Sequence, residues 1–188
     1  MIPAPFKVVL DANVLYPAPI RDTMLRAAAK GLFQPCWSSQ ILDEAIGALR
    51  RDGRMTLEQT RRLRGALSRA FPEALVEGHE ALVPAMQNEA EDRHVAAAAM
   101  KTGAQVIVTD NLGHFRTLPE GIEAQSAEEF LCNLVDLAPE IMLEALSEQA
   151  AALRNPPRSF ESLVDGLARL VPAFAAAVRE QAERLKNV

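Results

Sequence analysis

The feature that most constrains the fold is the alternation of strand-like and helix-like segments along the first 137 residues. Short apolar runs rich in Val and Ile are separated by longer segments whose apolar residues recur at helical spacing. Strands and helices that alternate in this way are joined by right-handed crossovers and build a parallel sheet covered by helices. We therefore predict an α/β fold of three layers, with a central parallel sheet of four or five strands flanked by helices.

Four segments have the character of strands: residues 6–10, 32–37, 105–109 and 121–124. The first and third are the clearest, because they are mostly apolar and lead into a polar turn, as buried parallel strands do. A fifth strand fits within residues 74–85, where Leu75-Val76 and Leu82-Val83 are alternatives that the pattern leaves open.

Helices are predicted between these strands at residues 21–30, 40–51, 56–71, 92–102 and 126–137. Ser38 or Ser39 offers an N-cap for the second helix. Thr56 with Gln59, and Ser126 with Glu129, have the spacing of a capping box. Gly31 and Gly103 are typical residues at which a helix ends.

The strand signals stop at Pro139, and the chain beyond it reads as helical. Residues 140–154, 159–171 and 173–186 are predicted as helices, separated by Asn155-Pro156-Pro157 and by Pro172. We expect a catalytic domain at residues 1–138 and a helical C-terminal extension at residues 139–188. The apolar faces of the extension could cover the catalytic domain, form a homodimer, or receive a segment of a partner protein.

Composition indicates a folded, soluble chain, because 49% of its 188 residues are hydrophobic and 24% are charged. No apolar run is long enough to cross a membrane, and the first residues lack the basic start of a secretory signal. These features favour the cytoplasm. Cys36 and Cys132 have no Cys or His neighbours at zinc-ligand spacing, so reduced, packed thiols are expected.

Charge alone does not indicate a nucleic-acid-binding protein, because the net charge is −5 and phosphate binding usually requires a basic surface. Seven arginines are nevertheless concentrated within residues 50–69. The simpler interpretation is a solvated helix face. The functional interpretation is a basic surface that steers a phosphate backbone. The sequence does not decide between these two interpretations.

Four acidic residues occupy positions from which they can converge at one edge of the sheet. Asp11 and Asp110 each follow a predicted strand, Asp92 opens a helix, and Glu44 lies one turn into the helix after the second strand. In open parallel sheets, functional groups collect beyond the carboxyl ends of the strands. Converging carboxylates repel one another unless a cation is present, and Mg²⁺ or Mn²⁺ is the ion that oxygen ligands favour.

Each acid also has an ordinary structural explanation. An Asp after a strand often forms a turn, and an Asp at a helix start is often a cap, while a Glu within a helix usually faces solvent. The spacing of the acids therefore leaves both interpretations open.

Four short motifs contain these acids: Val9-Leu10-Asp11-Ala12-Asn13-Val14-Leu15; Ser39-Gln40-Ile41-Leu42-Asp43-Glu44; Glu91-Asp92-Arg93-His94-Val95-Ala96-Ala97-Ala98; and Val106-Ile107-Val108-Thr109-Asp110-Asn111 with Phe115. In this order, and with this rhythm of strands and helices, they resemble the motifs of PIN domains over roughly residues 6–137. The chain is also similar in its compact size to the VapC toxins of bacterial toxin-antitoxin pairs.

The resemblance implies a metal-dependent endoribonuclease that hydrolyses RNA phosphodiester bonds, with RNA as substrate and an antitoxin protein as partner. It assigns Asp11, Glu44 and Asp92 as the core ligands of Mg²⁺ or Mn²⁺, with Asp110 contributing directly or through water. Asn13 and Thr109 would orient the carboxylates by hydrogen bonds.

One departure from the family pattern concerns the fourth acid, which family members often place two residues after the Thr. That position here is Asn111, so either Asp110 takes the role or the site uses three acids and an amide. Arg93 and His94 are candidate RNA contacts, although an ordinary structural role is the better explanation of both.

Two functions of different classes follow from these observations. The leading one is a metal-dependent ribonuclease. The alternative is a PIN-fold module that binds RNA or protein without cleaving, which the negative charge and the altered fourth motif favour. A small-molecule phosphatase or hydrolase is disfavoured, because the chain has no glycine-rich phosphate loop and no nucleophile elbow.

Overall fold

A computed structural model of the chain describes residues 6–186. Its centre is a sheet of five strands: β1 (Lys7–Leu10), β2 (Gln34–Ser38), β3 (Leu75–Val76), β4 (Val106–Val108) and β5 (Glu123–Gln125). All neighbouring strands are parallel, and their order is β3-β2-β1-β4-β5. The parallel α/β class predicted from the alternating segments is confirmed.

Burial along β1 shows that both faces of the sheet are covered. Val8, Val9 and Leu10 each have 0% exposure, although successive side chains of a strand point to opposite faces. A parallel strand covered on both sides is consistent with a continuous apolar run, which explains why β1 lacks an alternating pattern. The three-layer arrangement is therefore confirmed.

The helices are α1 (Ala12–Leu15), α2 (Ala18–Ala29), α3 (Ser39–Arg51), α4 (Leu57–Ala70), α5 (Arg93–Thr102), α6 (Ala127–Leu137), α7 (Pro139–Ala152), α8 (Phe160–Leu167) and α9 (Pro172–Lys186). Single 3₁₀ turns occur at Glu80–Ala85, Ala90–Asp92 and Leu112–Phe115. The sequence did not predict the short helix α1. The predicted helix at residues 159–171 ends earlier, at Leu167.

The residues predicted to cap or end α3, α4 and α5 do so in the structure. The Ser38 hydroxyl accepts a hydrogen bond from the backbone nitrogen of Ile41 at 3.2 Å and so caps α3. Thr56 and Gln59 form both bonds of a capping box at the start of α4. Gly103 ends α5 in the left-handed conformation, with φ +68°.

The undecided fifth strand is Leu75–Val76, which pairs with Trp37 and Ser38 of β2. Leu82 and Val83 instead lie in a 3₁₀ turn. The choice depends on pairing with a strand about 40 residues earlier in the chain, so local composition contained no information about it.

The chain forms two compact units. The first contains the sheet with α1, α3, α4 and α5, and is made of residues 6–17 and Phe33–Ser126. Within it, α5 contacts β1, β2 and β4, while α3 packs on β2 and α4.

The second unit is wholly helical and combines α2 with α6, α7, α8 and α9. Helix α2 packs on α7, where the Thr23 hydroxyl donates to Gln149 Oε1 at 2.8 Å in a buried contact. Helix α6 packs on α9. The helical character predicted beyond residue 139 is present, while the boundary at residue 138 stays a prediction.

Two further expectations concern membranes and cysteines. Among the described residues, no helix is both long and apolar enough to cross a membrane. Cys36 and Cys132 are both free thiols, and burial raises the pKa of the Cys36 thiol. A buried thiol with a raised pKa is a packing residue rather than a nucleophile.

Strand order places a functional crevice between β1 and β4. The chain adds β2 and β3 on one side of β1 and then β4 and β5 on the other. Ligands of open parallel sheets bind outside the carboxyl ends of the strands at such a switch point. The residues that follow β1 and β4 are Asp11 and Thr109.

Candidate functional site

Asp11 lies at the switch point, because its backbone nitrogen donates to the carbonyl of Val108 at 3.0 Å and so extends the pairing of β1 with β4. It is also the N-cap residue of α1, and its Oδ1 accepts from the nitrogen of Ala12 at 2.6 Å. The residue is only 3% exposed. The short helix α1 therefore fixes the direction of a buried carboxylate at the sheet edge.

Two polar neighbours hold the other oxygen of Asp11. Thr109, which is fully buried, donates from its hydroxyl to Asp11 Oδ2 at 2.7 Å. Asn13 Nδ2 reaches the same oxygen at 2.9 Å and the Thr109 hydroxyl at 3.0 Å. Asn13 Oδ1 accepts from the backbone nitrogen of Asp110 at 3.1 Å. These bonds tie the loops after β1 and β4 together around one carboxylate.

Asp92 stands at the N-cap position of α5, yet its side chain makes no capping hydrogen bond. Its Oδ2 instead lies 2.6 Å from Nδ1 of His114. The backbone carbonyl of His114 also accepts from the nitrogen of Glu89 at 3.2 Å. An ionised carboxylate can only accept, so this contact suits the tautomer of His114 that carries its proton on Nδ1.

Glu44 reaches the site from α3, and its side chain is 42% exposed. Its Oε1 accepts from Nε2 of Gln40, one turn earlier, at 3.1 Å. The same oxygen lies 3.2 Å from Nε2 of His94. This last approach does not have hydrogen-bond geometry, since both ring nitrogens of His94 are buried without a hydrogen-bond partner among the described residues.

The causes of the pKa shifts of these side chains overlap. Burial raises the pKa of Asp11; the hydrogen bonds from Thr109 and Ala12 oppose the rise, and the charge of Asp92 adds to it. Burial also raises the pKa of Glu44, and Asp92 again contributes to the rise. Burial lowers the pKa of the His94 imidazole, although the charges of Asp11 and Asp92 act in the opposite direction. Asp11, Glu44, Asp92 and His94 are thus close enough to affect one another.

The remaining predicted residues lie at the edge of this group. Asp110 and Asn111 are exposed, and the nitrogen of Asn111 donates to the Thr109 hydroxyl at 3.1 Å. Arg93 is half-buried, and its Nε donates to the carbonyl of Asn88 at 3.1 Å. His94 is 5% exposed. Contact of Arg93 or His94 with RNA stays a prediction, as does the choice between Asp110 and Asn111.

The carboxylates of this group are oxygen ligands of the kind that a hydrated divalent cation takes. The charge of Asp92 contributes to the raised pKa of both Asp11 and Glu44, and both ring nitrogens of buried His94 lack a hydrogen-bond partner among the described residues, which indicates that a polar partner belongs beside them. Within residues 6–186, however, no three His, Cys, Asp or Glu side chains are arranged so that they could hold a metal ion by themselves. Mg²⁺ usually keeps several waters and binds few carboxylates, so an open acidic site suits it.

The arginine-rich segment lies on α3, on α4 and on the loop between them. All its arginines are exposed except Arg64, which is half-buried. Arg62 contacts Glu58 and Arg64 contacts Asp43, so part of the positive charge is neutralised locally. Steering of a phosphate backbone by the other arginines stays a hypothesis.

Sequence reasoning missed two contacts, those of His94 and His114. A signal existed for His94, because α5 is buried on almost every side from His94 to Ala99 and small alanines all round a helix predict such burial. No local signal existed for His114, because its approach to Asp92 depends on how the 3₁₀ turn at Leu112–Phe115 folds back.

Comparison with known proteins finds similarities in both compact units. A family model described as a PIN domain matches residues 7–113, and one described as the VapC50 C-terminal domain matches residues 127–180. A Mycobacterium tuberculosis protein named "Putative ribonuclease VapC50" is 40% identical over 105 residues. The aligned region covers 54% of this chain and 62% of that relative, which is less than two thirds of its length.

Proposed function

Because the chain belongs to the PIN-domain family, we propose that it is a metal-dependent endoribonuclease and the toxin of a toxin-antitoxin pair. The observation that carries the proposal is the group formed by Asp11, Glu44 and Asp92 at the switch point of the sheet. Asp11 is buried although its charge is unfavourable there. Function explains such a carboxylate better than stability does.

In the proposed mechanism, Asp11, Glu44 and Asp92 would hold Mg²⁺ or Mn²⁺, and Asp110 would contribute directly or through water. When bound, the ion supplies an activated water and a Lewis acid for hydrolysis of a phosphodiester. Thr109 and Asn13 fix Asp11 through its Oδ2, and His114 fixes Asp92 through its Oδ2. Hydrogen bonds of this kind orient metal ligands.

The remaining parts of the proposal concern partners, location and organisation. RNA is the substrate, and the chain meets both RNA and an antitoxin in the cytoplasm. The name of the 40% identical relative includes the word ribonuclease, which supports this choice of substrate class. We retain residues 1–138 as the catalytic domain and residues 139–188 as a helical extension that contacts the antitoxin or a second copy of the chain.

The experiment that tests the proposal is RNA cleavage by the purified full chain with Mg²⁺, Mn²⁺ or EDTA. Asp11→Asn and Asp92→Asn should each lower the rate by at least about a hundredfold, since each removes a proposed ligand. Glu58→Gln is the matched control, because Glu58 is an acid of the same unit that lies on α4 and pairs with Arg62. It should retain the rate of the unaltered protein.

Cleavage that survives EDTA and both Asp variants would contradict the metal mechanism. RNA binding that is insensitive to EDTA and is accompanied by no cleavage would instead favour the module that binds without cutting. The open arrangement of the acids and the net charge of −5 are the observations that keep this alternative.

A further inference from the structure

His94 is a buried imidazole for which the described residues provide no partner. Its side chain is 6% exposed, yet neither Nδ1 nor Nε2 makes a hydrogen bond. Buried polar atoms in native proteins almost always have a partner, and an exception indicates a water or an ion that belongs at that place. The charges of Asp11, Asp92 and His79 act on His94, and Glu44 lies 3.2 Å from its Nε2, so the acidic side of the imidazole is the place where we look for the missing partner.

The approach of His94 to Glu44 has the dimensions of two ligands around one ion. Nε2 of His94 and Oε1 of Glu44 are 3.2 Å apart without hydrogen-bond geometry. Oε1 already accepts from Gln40. Two ligands at right angles around a metal, with bonds of about 2.1–2.2 Å, lie about 3 Å apart. An ion between these two atoms would satisfy both of them.

We propose that Nε2 of His94 is a ligand of the same divalent cation as Glu44, and that this nitrogen makes the site prefer Mn²⁺ to Mg²⁺. The inference rests on the proposed function, because it concerns the same ion. A set of carboxylates and waters suits Mg²⁺, Ca²⁺ and Mn²⁺ alike. An imidazole nitrogen shifts that balance toward transition metals, which follow the Irving–Williams order.

The test is pulsed electron paramagnetic resonance of the full chain loaded with Mn²⁺, which detects nitrogen nuclei bonded to the ion. Unaltered protein should show a directly bound nitrogen whose signal changes from ¹⁴N to ¹⁵N when histidine alone is labelled. The chain has three histidines. His94→Gln should remove the signal, while the matched variant His79→Gln should keep it, because His79 is similarly buried and also has an unpaired Nδ1.

A second design avoids any change to His94. The double variant His79→Gln, His114→Gln leaves His94 as the single histidine, and the nitrogen signal should persist in it. Binding titrations should show that His94→Gln weakens Mn²⁺ at least about tenfold while changing Mg²⁺ affinity less than about threefold.

Each outcome decides between the inference and the function on which it rests. Bound Mn²⁺ and RNA cleavage without a histidine nitrogen signal would overturn the inference, leave the ribonuclease intact, and point to a water beside His94. A histidine signal in a protein that cleaves no RNA would support the inference and contradict the proposed activity. Failure to bind Mn²⁺ at all would overturn both.

Discussion

At the scale of single residues, the Asp11 carboxylate is held by the chain although its charge is buried. Its two oxygens accept from Ala12, Asn13 and Thr109, but burial still raises its pKa. The hydrogen bonds therefore orient the carboxylate without removing the unfavourable effect of desolvation. In our proposal, a bound cation offsets the desolvation cost of the ionised Asp11 carboxylate that the hydrogen bonds leave.

Replacing Thr109 by Val tests this arrangement with almost no change of shape. The variant removes the 2.7 Å hydrogen bond to Asp11 and the two bonds that the hydroxyl accepts from Asn13 and Asn111. Loss of the buried bond to a charged group alone should lower the unfolding free energy by about 1.5–3 kcal/mol. Because an outer-shell partner is lost, affinity for Mn²⁺ should fall about 10–100-fold. Chemical unfolding and calorimetric titration measure the two effects.

Thr60→Val is the matched control for that experiment. Thr60 is 2% exposed and donates to the backbone carbonyl of Leu57, away from the acidic residues. The Thr60→Val variant should have a lower unfolding free energy but an unchanged affinity for Mn²⁺. Equal metal affinity in both variants would show that Thr109 has only a structural role.

The raised pKa of Asp11 also predicts how pH affects stability. In metal-free protein, the folded state binds the proton of Asp11 more tightly than the unfolded chain does. The pKa of Asp11 in the unfolded chain is near 3.8. The resulting stabilisation is fully present below that pH and is lost as pH rises through the higher pKa of the folded state. A bound cation needs the ionised carboxylate, so its effect on stability has the opposite dependence.

We therefore expect Mn²⁺ to raise the midpoint of thermal unfolding most at neutral pH and progressively less as the pH falls toward 3.8. At about 100 times its dissociation constant, an ion that binds only the folded state stabilises it by about 2.7 kcal/mol. Scanning calorimetry with Mn²⁺ or EDTA across this range measures the difference. A shift that is the same at every pH, or that survives in Asp11→Asn, would count against binding at Asp11.

Residue patterns singled out the acids but not the contacts of the histidines. Asp11 and Asp92 are recognisable because each stands directly at the end or start of an element, and the charge of Asp92 contributes to the raised pKa of Asp11. The contact between His94 on α5 and Glu44 on α3 joins residues that are 50 positions apart in the chain (94 − 44). It forms because α3 and α5 both pack on β2, an arrangement that no short motif encodes.

At the scale of secondary-structure elements, α3 has to deliver Glu44 to the site. Its first turn is fixed by the buried cap formed by Ser38, and Gln40 in that turn holds Glu44. The cap therefore affects both the stability of the helix and the position of a proposed ligand.

Ser38→Ala should lower the unfolding free energy by about 1 kcal/mol through loss of the cap. The rate of RNA cleavage should fall by more than this loss of folded protein explains, because Glu44 is less well fixed. Thr56→Ala is the matched control, since it removes a cap from α4, which contains none of the proposed ligands. Stability curves and cleavage rates of the two variants, measured side by side, decide the point; equal rates would contradict it.

Most elements were predictable because their signals are local. The buried runs that became β1 and β4, and the caps of α3 and α4, follow from residues within one or two turns. Helix α1 was missed because four residues are too few to show a helical period. The strand at Leu75–Val76 was undecided because only its pairing with β2 distinguishes it from Leu82-Val83.

At the scale of the whole molecule, the helical unit is built from two distant parts of the chain. Helix α2 belongs to it although α2 precedes β2 in sequence. The membership of α2 in the helical unit is not predictable from sequence, because the pattern of an amphipathic helix shows that it packs on another element but not on which one. Because α2 lies between two strands in sequence, the alternating pattern predicts that it covers the sheet.

A chain truncated after residue 138 tests the proposed domain boundary. The truncation removes α7 and α9, which pack on α2 and α6. It should expose the apolar residues Ile20, Met24 and Phe130, which are now buried. We expect low solubility and strong binding of a hydrophobic dye. A soluble, monomeric product with full cleavage activity would instead establish residues 1–138 as an independent domain.

The position of α2 also sets the order of events during synthesis. Helix α2 leaves the ribosome before any of α6–α9, and about 110 residues separate its end from α7. At about 5–20 residues per second, this separation corresponds to roughly 5–20 s. During that interval Ile20 and Met24, fully or almost fully buried in the finished protein, have no permanent partner. The nascent chain therefore passes through a period in which the apolar face of its second helix lacks the helix that covers it in the finished protein.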